Sequence, residues 1–70
     1  MNEEPKMQFV AINPRYRRFV ESLDDADAGN LLRSLFHHAY GKPPLPLSPR
    51  AEMLYEIMAD EMDELEDEGY

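Results

Sequence analysis

Apolar residues recur at three- and four-residue intervals in three stretches of this chain, and each stretch carries its own start signal. The most complete pattern lies between Leu23 and Gly41. Ala28, Leu31, Leu32, Leu35, Phe36 and Ala39 share one helix face there. Asp24 and Asp25 stand where the first turn's N–H groups need acceptors, and Asp27 adds negative charge near the positive end of the helix dipole. Gly41 is placed to take the left-handed conformation past the helix end, and Pro43 and Pro44 forbid continuation. These signals predict a helix over residues 25–40. Asn13-Pro14 predicts an earlier start: Asn caps, and Pro loses nothing at the first helical position. Tyr16, Phe19, Val20 and Leu23 then form the apolar face of a helix over residues 14–22. Ser48-Pro49 repeats the signal and opens a helix over residues 49–66. Its stripe is Ala51, Leu54, Tyr55, Met58, Met62 and Leu65, widened by Met53 and Ile57.

The connections complete an all-α expectation: a small three-helix domain with an extended N-terminal arm and a Pro-rich loop between the second and third helices. Residues 1–8 read as a loose polar end, residues 9–66 as the helical module and residues 67–70 as an acidic tail, all within one domain. The arm lays Phe9 and Ile12 on the helices, because a lone strand at residues 8–13 has no partner. A two-Asp link between the first two helices favours an antiparallel pair. Gly29 costs about 1 kcal/mol against Ala inside a helix, which close helix–helix approach would offset. Residues 42–49, KPPLPLSP, are stiff and extended. The preferred reading is a rigid crossover pinned to the core by Leu45 and Leu47; the other is a docking segment for an aromatic-lined groove.

Charge changes this picture more than composition does. Residues 1–50 hold six acids and seven bases, a balance of +1; residues 51–70 hold nine acids and no base, a balance of −9. This asymmetry argues against direct nucleic-acid binding and for attraction to basic surfaces. Arg15, Arg17 and Arg18 are the one basic cluster, read as a solvated face or as a salt-bridge partner of the acidic end. No apolar run is long enough to span a bilayer. With no Cys, neither a disulfide nor a thiolate metal site can form. Adjacent His37 and His38 point about 100° apart on a helix and do not chelate together. No catalytic constellation and no phosphate-cradling Gly loop occurs, so neither an enzyme nor a cofactor is expected.

The expectation is a protein-binding protein. Asp60, Glu61, Asp63, Glu64, Asp67 and Glu68 are the candidate contacts to a basic surface on a nucleic-acid-binding machine. Met53 and Ile57 are the candidate apolar contacts, since Met suits adaptable binding faces. Two alternatives stand beside these: the acidic end serves solubility only, or the Met-rich face pairs with a second copy as a homodimer. Acids at a helix C-terminus oppose its dipole, so the last turns are expected to fray without a basic partner.

The ordered signals also resemble the N-terminal module of an uncharacterised family of phage and prophage replication-type proteins. The matching positions are Phe9, Val10, Tyr16, Leu23, Asp25, Ala28, Gly29, Leu31, Leu35, Gly41, Pro44, Leu47, Pro49, Met53, Tyr55 and Asp63. That family carries basic residues through the last helix and continues beyond it, whereas here Glu52, Ala59 and Glu64 stand in that helix and Tyr70 is the last residue. The resemblance implies a phage protein acting in the cytoplasm of a bacterial host. With the charge of its last helix reversed, it implies an inhibitor of a host defence machine, of anti-CRISPR or anti-restriction type. A regulatory or assembly role in phage DNA replication is the alternative it implies.

Overall fold

The computed structural model describes residues 4–7 and 10–67, and these form three helices with no strand among them. Asn13 caps the first: its side chain accepts from the Arg15 amide at 2.9 Å. The chain then makes a tight 3-10 turn over Pro14–Tyr16 before continuing as α1, Arg17–Glu21. Ser22 ends α1 by donating its hydroxyl to the Phe19 carbonyl at 2.6 Å. The first helical segment therefore starts and stops as the sequence predicts, but its first turn is 3-10 rather than α.

Helix α2 spans Asp25–Ala39. Asp24 is its cap and accepts from the Asp27 amide at 2.8 Å. At the far end Gly41 adopts φ +75°. The Gly41 amide donates to His38 and the Lys42 amide to His37, which closes a Schellman motif. The Lys6 and Met7 amides both donate to the Ala39 carbonyl, at 2.6 and 3.1 Å. The N-terminal arm thus covers the end of α2, a contact the sequence does not announce. Phe9, predicted to lie on the helices, falls outside the described residues.

The Pro-rich loop runs along one side of α2, held by four side chains of that helix. Asp27 accepts from the Ser48 amide at 3.3 Å, and Ser34 accepts from the Leu45 amide at 2.9 Å. Asn30 donates to the Pro46 carbonyl at 3.3 Å, and His37 Nδ1 meets the Pro43 carbonyl at 3.2 Å. These positions are three or four apart and share one helix side. Leu45 and Leu47 are half-buried and Leu47 packs on the core, as a pinned crossover requires. Helix α3 spans Pro49–Asp67.

The core joins Tyr16, Leu31, Leu35, Ala39, Leu54, Met58 and Met62. Two expectations are corrected here. Leu32 and Phe36, expected on the buried stripe, are 46% and 50% exposed. The loop-binding side of α2, with Ser34 fully buried, shifts the buried arc toward the loop and leaves that flank outside. Close approach at Gly29 is also absent: a Cβ placed there would meet no atom within 4 Å.

Candidate protein-binding surface

The acids of α3 divide by where the helix register carries them. Glu61 and Asp63 are drawn into contacts within the chain. The Tyr16 hydroxyl donates to Glu61 Oε2, and the Arg15 guanidinium donates to the same oxygen at 2.7 Å. Arg15 also donates to the Tyr16 oxygen at 2.9 Å and stands 5.0 Å from its ring centroid, within cation–π range. The hydrogen bond from Tyr16 leads in holding the Glu61 carboxyl below its ordinary value; the Arg15 bond and charge assist, against partial desolvation. The hydrogen bonds to Tyr16 and then Glu61 hold the Arg15 guanidinium above its own. This latch fastens the 3-10 turn that leads into α1 to α3 and realises the expected salt bridge between the basic cluster and the acidic end. Arg17 pairs instead with Glu21 at 3.1 Å on its own helix.

Asp63 faces α2. Its Oδ1 lies 2.8 Å from His38 Nε2. Tyr55 meets the His38 ring edge-on at 6.2 Å between centroids. Burial, with the Asp63 charge added, pushes the Tyr55 phenol above its ordinary value and so favours its neutral form. Of the predicted contacts, Asp60, Glu64 and Asp67 remain exposed. Glu68 falls outside the described residues. Glu52 and Glu56, not among the predicted contacts, are exposed too, and four-residue spacing aligns them with Asp60. This line continues through Asp63 to Asp67, about 22 Å along the helix from Glu52.

On its other flank α3 presents the two predicted apolar contacts. Met53 is 64% and Ile57 41% exposed. Between α3 and α1 they line an open groove of about 1020 Å³ with Arg18, Phe19 and Arg50, and Tyr16 and Leu54 also line it. Phe19, at 55% exposure, is the largest exposed apolar side chain in it. The groove's α1 half was missed in the sequence, where Phe19 reads as core because it sits three residues from Tyr16. A smaller hollow of about 360 Å³ lies between the arm at Ile12 and the α3 residues Glu61, Glu64 and Leu65.

No metal-binding group of three or more His, Asp or Glu side chains occurs among the described residues. No helix in the described residues is long and apolar enough to cross a membrane. The surface therefore offers two features for recognition: a row of carboxylates, and an apolar groove edged by arginines. Comparison with known proteins finds no matching family model, no similar curated protein and no similar solved structure.

Proposed function

We propose that this chain is a non-enzymatic protein-binding protein that occupies a basic, phosphate-shaped surface on a nucleic-acid-handling machine. The observation that carries the reading is the exposure of Asp60, Glu64 and Asp67 on the C-terminal half of α3, with no ion-pair partner among the described residues. A folded helix that holds carboxylates in fixed positions loses little order on docking, and Arg- and Lys-rich surfaces built for phosphate attract it. The resemblance to a phage replication-type module points to a bacterial host machine as the target, and so to an inhibitor of anti-CRISPR or anti-restriction type. A second reading, a regulatory or assembly module of phage replication, draws on the exposure of Met53 and Ile57 in the groove.

The test is capture of bacterial nucleic-acid-binding proteins at about 50 and about 300 mM salt, where screening differs strongly. The chain is compared with the variant Asp60→Asn, Glu64→Gln, Asp67→Asn. Captured proteins are then assayed for DNA binding with and without the chain. The expected result is a target held at low salt, released at high salt, lost with the variant and displaced by DNA. A variant that captures the same target at both salt concentrations overturns the reading.

A further inference from the structure

The apolar groove between α1 and α3 is lined by arginines, and carboxylates stand on the flank of α3 just beyond it. Arg15 and Arg18 line it from the first helical segment, while Glu56 and Asp60, exposed and three residues beyond Met53 and Ile57, stand on the adjoining flank of α3. Two hydrogen bonds set the register across the groove. Arg15 bonds Glu61 near one end, and Arg50 donates to Ser22 at 3.4 Å at the other. Helix α1 therefore runs opposite to α3, and Arg18 lies between these ends, level with Glu56. Along the groove the basic positions 15 and 18 thus stand level with the acidic positions 60 and 56.

We infer that a second copy of this chain covers the groove, face to face, about a two-fold axis parallel to it. Such an axis exchanges the two edges and keeps the two ends in place. Arg15 and Arg18 of one copy then meet Asp60 and Glu56 of the other, and the reverse pairs form by symmetry. An axis across the groove would instead set arginine on arginine and carboxylate on carboxylate. Phe19, Met53 and Ile57 of both copies meet along the centre, where a contiguous exposed apolar patch calls for cover. The pairs on the rim supply register rather than most of the affinity.

Sedimentation equilibrium tests this on the whole chain. The expected mass rises from 8.2 kDa toward twice that value between about 10 µM and about 1 mM, as a small interface allows. Arg18→Glu alone and Glu56→Arg alone each set like charges together twice, and each is expected to weaken association tenfold or more. An equimolar mixture of the two variants is expected to restore the dimer, because each variant then faces the opposite charge at both sites. Both positions are exposed, and circular dichroism checks that each variant folds. A chain that stays at 8.2 kDa throughout, a dimer indifferent to either substitution, or a mixture that stays monomeric overturns the inference. Arg18→Glu and Glu56→Arg leave Asp60, Glu64 and Asp67 intact, so loss of the dimer is read without disturbing the carboxylates of the capture test.

Discussion

Replacing Leu35 with Ala tests the core directly. Leu35 is fully buried among α2 and α3 side chains. The substitution removes three carbons, each contributing about 0.8 kcal/mol in transfer alone, or about 2.4 kcal/mol together. A residual cavity of about 50 Å³ adds about 1.2 kcal/mol. The expected loss is therefore about 3.5 kcal/mol, against about 3–5 kcal/mol for a core this small. From a starting value of about 4 kcal/mol, roughly 70% of the variant remains folded in water. Phe36→Ala is the control. The helical stripe ranks Phe36 with Leu35 and its side chain is larger, yet it is half exposed. Its expected cost is about 1 kcal/mol. Urea unfolding followed by circular dichroism at 222 nm reads both variants. Equal losses for the two, or a larger loss at Phe36, would refute the placement of the core on the Leu31–Leu35 side.

Gly29→Ala is expected to raise stability by about 0.5–1 kcal/mol, since the added methyl meets open space and Ala favours the helix; an unchanged or lowered urea midpoint counts against this. Glu61 sets a pH dependence whose sign follows from its depressed value. Its contribution is fully present above the ordinary carboxylate value of 4.5 and is lost as pH falls below that through the lower folded value. Tyr16→Phe removes the leading cause and is expected to flatten the stability profile below about pH 5; equal slopes for the two proteins in urea melts between about pH 3 and pH 6 would show that the latch is inert.

Local signals in this chain are strong because caps and turns act within a few residues. Asn13, Asp24 and Gly41 each perform the role their residue type and position announce. The helices they bound are legible for that reason. Burial on α2 is less so, because an apolar stripe does not say which flank a neighbour will take. Leu32 and Phe36 stay outside since the loop claims the opposite flank, through side chains that read as ordinary polar surface. The acidic row was readable as a whole, but not its division. Glu61 meets Tyr16 across 45 positions and Asp63 meets His38 across 25, and no short-range pattern encodes such distances. The groove was half legible for the same reason: Met53 and Ile57 lie on one helix, while Phe19 and Arg18 come from another.

The stitched loop bears on the order in which the molecule assembles. Its bonds to α2 join residues 6 to 21 positions apart, whereas the latch between the first helical segment and α3 closes a span of 45 or 46. Shorter spans close at lower entropic cost, so α2 and the loop form an early unit that presents Ser48 and Pro49 to start α3. Helix α1, with no buried residue of its own, joins last and opens first. Among the helices, amide exchange should therefore be fastest through residues 17–21 and slowest around Leu31 to Leu35. The groove, built half from α1, forms and disappears with that one short segment while the rest of the fold stays closed.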